Sequence, residues 1–140
     1  MKESIGKLLS FMKKTKISFE KEILITASKL GISKSEADIL LFLSNDIKYN
    51  RGCDIVEFRG FSKAYVSKAV GRLLNKGYIS FEKDVKDRRY QHIILNESSK
   101  PIIDELKKVE KKVFKSLWKG ITDEEKKTFY LVIEKMTKNV

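Results

Sequence analysis

A mainly α-helical fold carrying one small β-hairpin is expected for these 140 residues, on three observations. Residues 54–77 hold two helical patterns separated by a glycine turn. Two β-prone runs, 78–81 and 90–95, follow at once and enclose a charged turn. Apolar residues at helical spacing fill both flanks, 1–30 and 97–140.

The first flank places Ile5, Leu8, Leu9 and Met12 on one helical face, and Phe19, Ile23, Ala27 and Leu30 on a second run of the same period. One long helix, or two in series with a weak point near Thr15 to Ser18, fits this pattern, and Gly31 ends it. Ser33 and Glu36 then form the spacing of a capping box, in which hydroxyl and carboxylate satisfy the first free N–H groups reciprocally. The helix they open contains Ile39-Leu40-Leu41-Phe42-Leu43, apolar on every side, and belongs at the centre of the domain.

Asp54 to Phe58 reads as a short helix and Arg59-Gly60 as a sharp break, because glycine accepts the positive φ of a tight turn. Ser62 is a good N-cap for the next helix. There Val66, Ala69, Val70 and Leu73 make one apolar stripe, while Lys63, Lys68, Arg72 and Lys76 lie mostly off it. No acid occurs between Glu57 and Glu82. Gly77 suits the residue after the helix end. Tyr78 to Phe81 and Tyr90 to Leu95 then alternate as strands around Asp84-Val85-Lys86-Asp87-Arg88-Arg89. Helix, turn, helix and a basic-tipped hairpin is the layout of a winged helix-turn-helix, here spanning about 33–96.

Beyond the hairpin, Asn96 can cap a long helix with Ile102, Leu106, Val109, Val113 and Leu117 on one side. Pro101 falls in its first turn, where a missing N–H is tolerated. Lys107, Lys108, Lys111, Lys112 and Lys115 form the other side. Gly120 breaks this helix, and Thr122 with Glu125 is a second capping box. The last helix holds Phe129 to Ile133 and Met136, apolar in every direction and more than one core covers. With the first helix it predicts an intertwined homodimer, built from dimerisation helices at about 1–30 and 97–140 around a single domain.

Composition narrows the function classes. A net charge of +11 favours a polyanionic partner. Nothing approaches the roughly 18 apolar residues of a membrane span, so no membrane partner is expected. One cysteine excludes an internal disulfide and fits a reducing cytoplasm, as does the absence of a signal-peptide pattern in residues 1–17. Cys53 is expected to be a small buried residue. His92 is the only histidine, so no zinc site or other cofactor is expected. Ser67 and His92 have no orienting acid or oxyanion motif beside them, and no enzymatic activity is expected. Trp118, Phe114 and Tyr130 are core candidates that also suit a small-ligand pocket between the dimerisation helices and the winged helix-turn-helix.

In order and spacing, Ser62-x-x-x-Val66-Ser67, Leu73, Lys76-Gly77-Tyr78-Ile79, the Asp87-Arg88-Arg89 tip and Leu95-Asn96 resemble the MarR family of transcriptional regulators. The resemblance extends over nearly the whole chain, with Leu95-Asn96 standing where the family usually has Leu-Thr. It implies a sequence-specific double-stranded DNA-binding homodimer, acting as a repressor on a pseudo-palindromic operator and released by a small aromatic effector. By the same resemblance Ala64, Tyr65, Ser67 and Lys68 face bases, Arg89 enters the minor groove and Asp87 braces it. Lys68 replaces the arginine of many relatives, which gives up bidentate recognition. Ser62, Lys63, Arg72, Lys86 and Arg88 complete the expected contacts, chiefly to phosphates. Two rival readings of the same residues are a sequence-blind winged helix that binds RNA or packages DNA, and a protein–protein interaction module.

Overall fold

The computed structural model describes residues 2–46 and 48–140. Six helices and one hairpin follow in the order α1 (Lys2–Lys29), α2 (Lys34–Asn45), α3 (Gly52–Arg59), α4 (Lys63–Asn75), β1 (Ile79–Lys83), β2 (Gln91–Leu95), α5 (Lys100–Leu117) and α6 (Asp123–Thr137). A short 3-10 turn, Glu97–Ser99, leads into α5. The chain falls into two compact units, 1–110 and 111–140, and α5 passes from one to the other.

In the first unit α2 is the hub. Ile39, Leu40, Leu41, Phe42 and Leu43 are all buried, as an all-round apolar helix requires. Around them pack Ile23 and Ala27 of α1, Ile55 of α3, Val66, Ala69, Val70 and Leu73 of α4, Ile79 and Ile93 of the hairpin, and Ile102, Ile103 and Leu106 of α5. Each of the buried Val, Leu, Ile and Phe side chains contributes roughly 1.5–3 kcal/mol relative to exposure. The N-terminal segment is one unbroken helix rather than two in series. Thr15 bonds back to the carbonyl of Phe11, so the hydroxyl is satisfied within the helix.

Three caps differ in how they are made. Thr122 and Glu125 form a complete box at the start of α6. Ser33 and Glu36 form only half of one. Ser33 Oγ accepts from Glu36 N at 3.2 Å, but the Glu36 carboxylate turns inward and takes Lys76 Nζ at 2.7 Å instead. An ammonium from a distant helix outcompetes the local N–H. Asn96 likewise makes no side-chain cap. Its amide donates to the Gly77 carbonyl at 2.9 Å and accepts from Ser80 Oγ at 2.8 Å, tying the hairpin base to the end of α4. Pro101 is the second residue of α5 and is accommodated there.

The hairpin is antiparallel, registered from Ile79 opposite Leu95 to Lys83 opposite Gln91. It docks on the segment before α3, where Ile93 N donates to the Asn50 carbonyl at 2.7 Å. In the second unit Trp118, Phe129 and Tyr130 form an aromatic cluster with ring centroids 5.3–5.7 Å apart. No residue of α6 is buried, and Phe129 to Ile133 and Met136 are between 42% and 58% exposed. Ile5, Leu8, Leu9 and Met12 of α1 are exposed as well. No described helix is long and apolar enough to cross a membrane.

Candidate nucleic-acid interface

Helix α4 begins where the sequence places it. The backbone turns at Gly60, whose φ of +66° is left-handed and costs a side chain strain. Ser62 Oγ then accepts from Tyr65 N at 3.1 Å. This cap uses the serine oxygen as acceptor and leaves its O–H able to donate outward. Val66, Ala69, Val70 and Leu73 are buried, and Lys63, Ala64, Ser67, Lys68 and Arg72 are exposed. One periodicity therefore serves both faces: the side that packs inward is apolar, and the side that faces out is basic and polar. Gly77, at φ +76°, ends the helix.

Tyr65 and Lys76 are held more tightly than their residue types suggest. The Tyr65 hydroxyl donates to Asp38 Oδ2 at 2.8 Å, and the ring is half-buried against Phe61 at 4.8 Å. Burial first, and then the Asp38 bond, push its ionisation well above the ordinary phenol range. The hydroxyl is thus committed inward. Lys76 pairs with Glu36 at 2.7 Å, so its charge is neutralised there although the side chain is partly exposed.

At the wing tip Asp84 Oδ1 accepts from the backbone N–H groups of Lys86 and Asp87 at 2.8 and 2.9 Å, which folds the turn. Asp84 Oδ2 lies 2.7 Å from His92 Nε2, and His92 Nδ1 contacts Asn50. The His92 bond first, and then the two N–H groups, hold the Asp84 carboxyl down at about 2. Arg89 is gripped by Asp87 through Nε at 3.0 Å and Nη2 at 2.8 Å, yet its side chain is 86% exposed. This pairing lowers the Asp87 carboxyl and raises the Arg89 guanidinium, so both stay charged. A planar fork braced on a carboxylate keeps its direction while remaining open to solvent. Lys86 and Arg88 are exposed beside it. Next to the tip turn Arg51 lies over the Tyr90 ring at 4.9 Å and pairs with Asp54 at 3.2 Å.

Two features correct the sequence reading. Cys53 is exposed rather than buried. It sits in the first turn of an eight-residue helix whose weak amphipathic pattern does not announce which side faces inward. There it lines a 390 Å³ cavity with Val56, Val66, Val70, Phe81 and Ile93. Trp118 and Phe114 line a more open 810 Å³ cleft with Lys111, Lys112, Lys115 and Lys126, but Tyr130 does not share its wall. Tyr130 packs against the Trp118 ring instead, so two of the three expected aromatic residues line the cleft and the third does not. Sequence reasoning also missed Asp38, Asn50 and Arg51, and the pairing of Glu36 with Lys76, because these partners lie far along the chain or on the hairpin. Among the described residues no group of three or more His, Cys, Asp or Glu is placed to hold a metal ion.

A capped helix with a basic outer face, followed by a hairpin with a braced arginine, defines a winged helix-turn-helix protein. Residues 30–89 match the model of the MarR family. The chain is similar over 96% of its length to a MarR-family transcriptional regulator from Silicibacter pomeroyi, with 20% identity, 90% of that chain covered and a TM-score of 0.84. A putative MarR-family regulator from Listeria monocytogenes, solved in complex with a 26mer DNA, is similar over 99% of this chain and 87% of its own, at 14% identity and TM-score 0.75. BpsR of Bordetella bronchiseptica, described for regulation of its DNA binding by 6-hydroxynicotinic acid, covers 96% of this chain and 98% of its own at 17% identity and TM-score 0.66. No curated relative matches the chain.

Proposed function

We propose that this protein is a cytoplasmic, homodimeric, sequence-specific double-stranded DNA-binding repressor that acts by covering a pseudo-palindromic operator. The observation that carries this reading is the continuous exposed face of Lys63, Ala64, Ser67, Lys68 and Arg72 on α4, followed by the basic wing tip of Lys86, Arg88 and Arg89. Lys68 is the principal base-edge donor, the Tyr65 ring packs on a thymine methyl, and Ser62, Lys63, Arg72, Lys86 and Arg88 hold phosphates. Arg89, braced by Asp87, enters the minor groove and reads its width. The DNA complex of the Listeria relative supports the same partner class.

The rows of exposed large apolar side chains on α1 and α6 support the dimer, because contiguous apolar patches left in water mark interaction surfaces. A small aromatic acid is the proposed effector. It is supported by the Trp118 cleft, whose lining carries Lys111, Lys112, Lys115, Lys119 and Lys126 and no acid, and by the aromatic acid that regulates BpsR. The test is selection of bound duplexes from a random-sequence pool. The expected product is an inverted repeat with half-site centres about one helical turn, roughly 10 base pairs, apart. Recovery of unrelated sequences would instead indicate sequence-blind binding.

A further inference from the structure

We infer that two buried carboxylates of α2, Asp38 and Glu36, are positioning residues that set the orientation of α4 for reading bases. The inference rests on the DNA-reading role just proposed for α4. Both acids are 2% exposed. Asp38 receives the Tyr65 hydroxyl at 2.8 Å and Lys34 Nζ at 2.8 Å, while Glu36 receives Lys76 Nζ at 2.7 Å and the Ser33 hydroxyl at 3.0 Å. Tyr65 lies in the first turn of α4 and Lys76 is its C-cap, so the two bonds grip opposite ends of the same helix. Eleven residues separate them, close to three full turns, so both side chains leave α4 on nearly the same side. Gripped at both ends on one side, the helix is fixed in rotation about its axis as well as in its crossing of α2.

The apolar stripe does not fix this by itself. Contacts among Val66, Ala69, Val70 and Leu73 hold α4 against the core, but hydrophobic burial is non-directional and tolerates small rotations. Hydrogen bonds to ionised groups are short and directional. Stability does not account for two buried carboxylates either, since a buried polar pair replaced by apolar groups of similar shape is often no less stable. What the carboxylates add is geometry. A rotation of α4 about its axis would carry Lys68 and Ser67 away from the base edges while leaving its charge near the phosphates. Discrimination, rather than affinity for DNA in general, is therefore the quantity these acids control.

The test compares affinity for the selected operator and for a scrambled duplex, with every variant checked for complete folding at the assay temperature. Asp38→Leu is expected to lower the operator-to-scrambled ratio by about tenfold, the equivalent of one charged hydrogen bond, with scrambled binding unchanged. Asp38→Asn keeps an acceptor for the Tyr65 hydroxyl and is expected to lose less. Glu36→Gln lowers the same ratio from the other end. Tyr65→Phe matches Asp38→Leu, and the double variant is no worse than either while keeping the wild-type melting temperature. Unchanged ratios in the Asp38 and Glu36 variants, beside a wild type that discriminates strongly, overturn the positioning role alone. So does a loss confined to Tyr65→Phe, which would mean that the hydroxyl touches DNA directly. A wild-type ratio near one overturns sequence reading itself, and the positioning role with it. Tyr65→Phe and Asp38→Asn are near-isosteric and keep the test open if Asp38→Leu does not fold.

Discussion

Lys68 and Arg88 carry the same charge on the two elements proposed to face DNA, and they are expected to carry different information. Lys68→Ala removes a base-edge donor, so it should cost about 1–3 kcal/mol per contact on the operator and little on random DNA. Arg88→Ala removes a phosphate contact, so both duplexes should weaken alike and the salt dependence should flatten by about one unit per subunit. Binding titrations across a salt series measure both. Asp84 makes a pH prediction at the same scale. Its folded carboxyl is held at about 2, below the ordinary 3.8, chiefly by His92. A lowered folded value stabilises the folded wing fully above the ordinary value and loses that contribution as pH falls towards 2. The amide signals of Lys86 and Asp87 should shift in that window, and an unmoved tip would contradict the Asp84 turn. Cys53, being exposed, should react with a thiol reagent in the native protein without denaturant.

Among the elements, α4 and the wing were the most legible. The stripe of Val66, Ala69, Val70 and Leu73 and the cap at Ser62 depend on spacing within one helix, and spacing is what a sequence displays. Local chemistry also placed Gly60, Gly77 and the Thr122–Glu125 box. The parts that stayed hidden depend on partners far along the chain. Glu36 has the spacing of a capping residue, but Lys76, forty residues on, takes its carboxylate. Nothing in the local pattern ties Tyr65 to Asp38, twenty-seven residues earlier. Asn96 has the look of a cap and is instead drawn to Gly77 and Ser80 by the hairpin fold. Cys53 was misjudged because α3 has only eight residues, too few turns to declare a buried side. The Ser62 cap is itself testable. Ser62→Ala should lower stability by about 1 kcal/mol in a denaturant titration and fray the N-terminal turn of the reading helix.

For the whole molecule, the exposed apolar faces of α1 and α6 support the proposed association. Light scattering at micromolar concentration should give the mass of two chains, and a one-chain mass would contradict the dimer. Truncation after Lys119 removes α6 and should leave a species that aggregates, because the surface that covers its partner goes with it. The proposed homodimer, with two reading helices related by a two-fold axis, would impose a spacing rule on DNA that neither a sequence-blind binder nor a protein-only module shares. The decisive measurement is therefore affinity for the selected operator against the same operator with about 5 base pairs, half a helical turn, inserted between its half-sites. The insertion turns one half-site to the opposite side of the duplex while leaving every base contact available. Affinity should fall to that of a single half-site or lower. Equal affinity for the two duplexes would contradict a homodimer that reads both halves of its operator.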